Sequence, residues 1–372
     1  MNDDKNKQKR ICWITASYML QVDLPILSTL SKNFDIDWFF WGSSVSDNAG
    51  LAKAYADKNN ITIKFIECPY TFYNPMSLFF NLTTLKKLRN KGYDAYYFDI
   101  STFPWLLFSI KKYLPSDRVV IAMHHGKIHS GMRLKPIYRP FLKYLNRQPF
   151  FLQYFSKLQA DAFKGKDEEK KYLIPLALND FGRPNEVPDN KKVVFTTFGN
   201  IIESKNIPLL IEAGNRLWEE YPEKFIIRIA GKGRLWDSYK SLICHPEAFS
   251  LDIRRIPDED IPNLFATSHY IVFPYKAVTQ SGPLRIAYGY NVPVIASDLD
   301  GFKESVEENI TGLLFETENV ESLTHIMGQV ITAHPSQYNQ IKKSQSEYVR
   351  QNLSTHSVCS RYIEMLNTVL AK

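Results

Sequence analysis

Short apolar runs alternate with helix-patterned segments twice along this chain, and one polar, proline-bearing stretch separates the two series. The first series holds RICWIT, DIDWFFW, ITIKFI, YDAYYFD and RVVIAM. The second holds VVFTTFG, FIIRIAG, LDIRRI, HYIVFPY, VPVIAS and GLLFE. Runs this short suit buried strands, and an intervening helix lets the next strand return parallel to the last. The spacing predicts helices from Asp23 to Lys32, ending near Asn60, from Leu78 to Asn90, from Ile207 to Glu220 and over the tail from Thr355 to Lys372. Asp180 to Asn190, DFGRPNEVPDN, is aperiodic and reads as a linker. The expected fold class is therefore α/β, with two Rossmann-like doubly wound parallel-sheet domains facing each other across a cleft. Open α/β sheets bind ligands at the carboxyl ends of their strands, which is where such a cleft lies. The expected domains are residues 1–182 and 183–352, with a helix over 353–372 packing back on the first.

A chain of 372 residues exceeds one ordinary core, which agrees with two domains. A net charge of +7 favours anionic partners. The four cysteines, Cys12, Cys68, Cys244 and Cys359, are scattered and offer neither metal-ligand spacing nor a disulfide framework. ICWITASYML is too short and strand-like for a secretion leader, and no apolar stretch is long enough to span a bilayer. A cytoplasmic protein is expected, with contact to the inner face of a membrane at its surface. Arg118 to Ala160 contains no acidic residue and interleaves Lys127, Arg133, Lys143, Arg147 and Lys157 with Tyr138, Phe141, Tyr144, Phe150 and Phe151. That mixture suits an anionic lipid surface. It equally describes a solvated basic face over buried aromatics. No nucleic-acid module is present.

Four segments carry chemistry. In VTQSGPLRIAYG, Ser281 or Gly282 suits a helix cap and Pro283 suits the first turn. The amides of Leu284 and Arg285, with the helix dipole, would form an anion site, and Arg285 would add a charge. The competing reading is an ordinary capped turn. In FGNIIESKNIPLL, Gly199 permits a tight turn after a strand, and Lys205 stands where it reaches a phosphate. IAGKGRL places Gly231, Lys232 and Arg234 after the next strand without completing a dinucleotide fingerprint. HHGKIHSG, from His124 to Gly131, gathers three histidines behind RVVIAM. Sugar hydroxyls or a phosphate suit it better than zinc, whose spacing it does not match.

In this order, the four segments resemble nucleotide-sugar glycosyltransferases of the GT-B fold, in the large retaining family 4. FGNIIESKNIPLLIEA is similar to that family's FGRIxxxKGxxxLLxA, and HHGKIHSG to its HDPxPHSG. The stretch from Ile256 to Phe315 is similar to its TQSG–AY–PVIAT–TGLL series. The resemblance implies a UDP- or GDP-sugar donor as substrate, a glycan or lipid-linked glycan acceptor, no cofactor and no metal. It implies catalytic roles for His124, Lys205 and Arg285. It implies donor contacts from Gly199, Asn200, Gly231, Lys232, Gln280, Ser281, Gly282, Leu284 and Glu304. On the acceptor side stand Ser17, Tyr18, His125 and His129. The chain departs from the family where two glutamates are usual, at Val278 and Ile286, and its first turn, TASYMLQVD, has no glycine. Two rivals stand beside this reading: a sugar- or nucleotide-binding protein on the same fold that lost activity with its glutamates, and a nucleotide-sugar epimerase on the same architecture.

Overall fold

The computed structural model describes residues 8–71, 74–100, 102, 104–124, 135–161, 166–189, 191–278 and 281–372. The chain forms two compact units, residues 1–177 with 355–372, and residues 178–354.

In the first unit the strands are β1 Arg10–Ala16, β2 Asp35–Trp41, β3 Thr62–Ile66, β4 Ala95–Asp99, β5 Val119–Met123, β6 Phe151–Tyr154 and β7 Lys171–Leu173. Among the described residues they form one sheet in the order β3-β2-β1-β4-β5-β6-β7, with every pairing parallel. The helices between them are α1 Leu20–Leu30, α2 Asp47–Asn59, α3 Ser77–Arg89, α4 Trp105–Tyr113, α5 Lys135–Asn146 and α6 Lys157–Asp161. Ile11 to Ala16 is buried throughout, because helices cover both faces of the sheet and leave no polar side to alternate with. One core packs Trp13, Trp38 and Phe40 against Leu27 of α1 and Ala52 of α2. The other packs Ile14, Phe98 and Ile121 against Leu85 of α3, Leu107 of α4 and Leu145 of α5.

The second unit repeats the plan. Its strands are β8 Val193–Phe198, β9 Phe225–Ala230, β10 Phe249–Asp252, β11 Tyr270–Phe273, β12 Val294–Ser297 and β13 Gly312–Phe315. Their order is β10-β9-β8-β11-β12-β13, again parallel. The helices are α7 Ile207–Glu220, α8 Trp236–Tyr239, α9 Ile261–Ala266, α10 Gly282–Gly289, α11 Asp300–Lys303, α12 Val320–Thr332 and α13 Ser336–Asn352. The chain then returns to the first unit as α14, Thr355–Leu370, which buries Val358, Tyr362, Met365, Leu366 and Val369. Spacings of three and four put these on one helical face, and that face completes the core beside α1.

Several expectations need correction. The first series continues beyond RVVIAM into β6 and β7, and the aromatic PFFLQYF is strand and core. Phe150 and Phe151 are therefore buried, not displayed to a membrane. LDIRRI is strand only at Leu251 and Asp252. The strand is Phe249–Asp252, and Arg254 turns out of the sheet to bind Asp252 at 2.7 Å and Asp260 at 2.7 Å.

Candidate functional site

In each sheet the winding reverses beside the first strand, so the loops leaving β1 and β4, and those leaving β8 and β11, diverge. The crevice outside such a switch point is the place for a ligand in this class of fold.

At the second switch point, β8 runs into Gly199, whose φ of +109° favours glycine. After β9, Gly231 has φ +146°, and a Cβ there would lie 1.9 Å from the Gly199 carbonyl oxygen. The two loops thus touch backbone to backbone, tied by the Ile201 amide donating to the Lys232 carbonyl at 2.7 Å. No side chain fits between them.

Lys205 closes this floor. It ends a short 3-10 turn, donates from Nζ to the Phe198 carbonyl at 3.1 Å and stands 5.5 Å over the Tyr275 ring. A Cβ on Gly199 would come within 2.6 Å of that Nζ and within 3.9 Å of Pro283. Gly199, Lys205 and the head of α10 therefore share one corner. Burial pushes the Lys205 amine down to about 8. An anion beside it would reverse that shift.

The head of α10 differs in one respect from the expectation. Ser281 is the cap, and its Oγ accepts the Leu284 amide at 3.3 Å. That amide is engaged by its own chain, and Pro283 has none, so Gly282 presents the amide at the exposed tip. Burial lowers the Arg285 pKa, and Tyr288, Tyr348 and Glu304 act against that shift. Val278 and Ile286 pack into the apolar cluster under α10, so the positions of the usual glutamates are filled by core side chains. Asn200 and Lys232 are exposed on the rim of a separate open recess of about 530 Å³, with Glu203 and Arg234.

At the first switch point a pocket of about 520 Å³ lies within the first unit. Tyr18, Trp41 and Tyr70 line it with aromatic surface, and Glu67, Ser77 and Asn81 supply polar groups. Ser77 Oγ and Asn81 Oδ1 are buried there without a hydrogen-bond partner among the described residues. Ser17 anchors the turn beside it through its carbonyl, which accepts from Asn48 Nδ2 at 2.8 Å. A small neighbouring recess shares Tyr18 and Ile100 with this pocket and reaches His124. His124 stacks on Phe155 at 4.4 Å, and Gln159 holds its carbonyl at 2.6 Å. Its Nε2 hydrogen-bonds Asp99 Oδ1, the last residue of β4. The sequence reading missed Asp99. A carboxylate ending an otherwise apolar strand at the switch point was the available signal. His125, His129 and Gln280 lie outside the described residues.

The two units are doubly wound in the same strand order and form the two-Rossmann architecture of GT-B proteins. Residues 192–333, all within the second unit, match the family model described as Glycosyl transferases group 1. YtcC of Bacillus subtilis (strain 168), provisionally designated a glycosyltransferase, is 26% identical over 146 residues. That match covers 37% of this chain and spans 35% of YtcC, about a third of the relative's length. Among solved structures, a glycosyltransferase from Rickettsia africae ESF-5 superposes with TM-score 0.78 at 16% identity, covering 98% of this chain and 99% of that one. HepE of Anabaena, crystallised with UDP and glucose, superposes with TM-score 0.72 at 15% identity, covering 97% and 100%. At such identities the structural likeness speaks to the fold.

The depressed Lys205 pKa has a definite sign. Its folded value lies below the ordinary 10.5, so the folded state binds fewer protons between about 8 and 10.5. The cost of burying the charge is full below that window and is relieved as pH rises through it. An anion bound at this corner restores the charge. Inorganic pyrophosphate binding at about pH 9 should therefore take up a proton. Calorimetry in two buffers of different ionisation enthalpy measures this, and Lys205→Met should abolish the uptake.

Proposed function

We propose that the protein is a glycosyltransferase that moves a sugar from a UDP- or GDP-sugar to a glycan or lipid-linked glycan, in cell-surface polysaccharide or glycoconjugate synthesis. The observation that carries this reading is the corner at the β8–β11 switch point. There the Gly199 and Gly231 loops, Lys205 and the capped head of α10 leave room for bare phosphate oxygens and meet them with charge. The match of residues 192–333 to the glycosyltransferase family model supports it, as does the UDP held by HepE on a similar fold.

In the reaction, the bond from the anomeric carbon to the diphosphate oxygen breaks and the acceptor oxygen bonds to that carbon. Negative charge grows on the leaving diphosphate while the sugar becomes oxocarbenium-like. Lys205 and the Gly282 amide are positioned to stabilise that charge, and preorganised groups of this kind are the largest lever on such a step. The proposal assigns this work to Lys205 without a metal. Gly199, Gly231 and Ser281 shape the floor, and Asn200, Lys232, Leu284 and Glu304 are donor-side neighbours. Arg285 acts through its place beside Glu304. His124 orients the transferring sugar. The aromatic pocket beside Tyr18 takes the acceptor.

The resemblance to family 4 favours retention, with the leaving phosphate accepting the acceptor's proton. The His124–Asp99 contact favours a second reading, in which the imidazole takes that proton and configuration inverts. One experiment tests both readings. A nucleotide-sugar panel is incubated with glycan acceptors, and nucleotide release and product anomer are followed by NMR. Acceptor-dependent release is expected, with Lys205→Ala slower by at least about a hundredfold. A retained anomer leaves His124 its orienting role, and an inverted one makes it a base. Sugar conversion without acceptor would mean an epimerase, and binding without turnover an inactive fold.

We also propose peripheral docking on an anionic membrane through residues 118–160. Arg118, Lys143, Tyr144, Arg147 and Lys157 are exposed within it. No helix among the described residues is long and apolar enough to cross a membrane. Flotation with liposomes containing anionic lipid should carry the protein upward, and Lys143→Glu/Arg147→Glu should reduce this several-fold. Equal flotation with neutral liposomes would remove the electrostatic role.

A further inference from the structure

Beneath His124 the first unit buries two aspartates. Asp23, in the first turn of α1, and Asp99, at the end of β4, are both 0% exposed. Asp23 Oδ2 accepts from Trp13 Nε1 at 2.9 Å and from Thr15 Oγ1 at 2.5 Å. Thr15 Oγ1 in turn accepts from Trp38 Nε1 at 2.8 Å, so the hydroxyl proton is committed toward Asp23. Asp99 Oδ1 holds His124 Nε2. Each aspartate thus has one oxygen served. The other two, Asp23 Oδ1 and Asp99 Oδ2, are buried with no hydrogen-bond partner among the described residues. Thr15 pairs with Asp99 across β1 and β4 and bonds Asp23, which sets the two carboxyl groups side by side.

Two ionised carboxylates side by side in a dry core would repel, and each bare oxygen would lack a donor. The surroundings offer no relief. Tyr97 of β4 and Tyr362 of α14 flank the pair, and burial keeps both phenols neutral. The Tyr97 hydroxyl is committed to Gln153 Oε1 at 2.9 Å. Cys359 on α14, behind Tyr362, is pushed up to about 11 by burial. No lysine or arginine is among the groups acting on Asp23. No three acidic, histidine or cysteine side chains among the described residues converge as a metal site, so a cation between the carboxylates has no cage. One proton satisfies every atom. It supplies the missing donor to one orphan oxygen, uses the other as its bearer and removes one of two buried charges. Burial and the neighbouring charge of Asp99 act in the same sense, holding the Asp23 carboxyl well above the usual carboxylate range.

We propose that Asp23 is a carboxylic acid at neutral pH that donates its proton to Asp99 Oδ2, so that Asp23, Asp99 and His124 form one hydrogen-bonded chain. Asp23 touches no substrate and is a positioning residue. It fixes the Asp99 carboxylate, which accepts the Nε2 proton of the imidazole. With Nε2 held by Asp99, Nδ1 is the ring nitrogen left to face a ligand. Pairing of Asp99 with the acid also tempers the negative charge that His124 feels. The role of His124 in turnover rests on the glycosyltransferase reading, whereas the shared proton does not.

The test uses the full chain. Infrared difference spectra of the wild type against Asp23→Asn at neutral pH should show loss of a protonated-carboxyl carbonyl band. Nitrogen-15 NMR should show the Nε2–H tautomer of His124 in both proteins, because the asparagine amide donates to Asp99 in place of the acid. Asp23→Leu has no donor and leaves Asp99 with its full charge. The acid limb of its pH–rate profile should move up by about one pH unit, a tenfold change in protonation. In that variant kcat should shift while KM stays near the wild-type value, and Asp23→Asn should keep the wild-type profile. Absence of a carboxylic-acid band in the wild type overturns the proposal, as does a folded Asp23→Leu variant with the wild-type pH–rate profile. If Asp23→Leu does not fold, the infrared comparison decides alone. If the protein transfers no sugar, the infrared and NMR readouts still decide the proton, separately from the function.

Discussion

A parallel sheet wound in both directions has one place where neighbouring strands send their chains to opposite faces, and both units of this protein are organised around it. Between β1 and β4, and again between β8 and β11, no crossover covers the strand ends. The backbone there has open space above it while the strands remain fully buried below. Tyr18, Asp99 and His124 gather at the first of these points. Gly199, Lys205 and Gly231 gather at the second. Side chains scattered along the chain become neighbours because each follows a strand that ends at the same edge.

At the second point the chemistry depends on what is left out. Gly231 approaches the Gly199 carbonyl closer than any side chain would allow, and both residues hold positive φ. The result is a floor of backbone with a single half-buried ammonium at its edge. Burial lowers the Lys205 pKa, which means the empty corner disfavours the charge that an anionic ligand would favour. At the first point the balance differs. There two carboxyl groups are sunk beneath aromatic rings, and they meet the recess above through His124.

Much of this was legible in the sequence. Helix α7 runs from Ile207 to Glu220 as its periodicity indicates, and α10 begins after the Ser281 cap with Pro283 in its first turn. These features are local: a cap, a proline and an apolar period act within a few residues of themselves. Misreadings occurred where composition does not say which partner a group takes in space. LDIRRI has strand-like composition, but Arg254 is drawn away by Asp252 and Asp260. Phe150 and Phe151 sit in a basic stretch, yet β6 places them in the core. The Leu284 amide looks open in the sequence and is taken by Ser281 in space.

The sequence by itself determined the alternation of strands and helices, the break between two series, and the glycine and lysine positions at strand ends, because periodicity and backbone sterics are properties of short segments. Only the tertiary structure decided that Asp23 and Asp99 meet. They are 76 residues apart, on a helix and a strand that touch only when the sheet assembles with β1 between its neighbours. An aspartate in an amphipathic helix ordinarily faces water. Here Trp13, Thr15 and a second carboxyl surround it, and the environment, not the residue type, sets its chemistry.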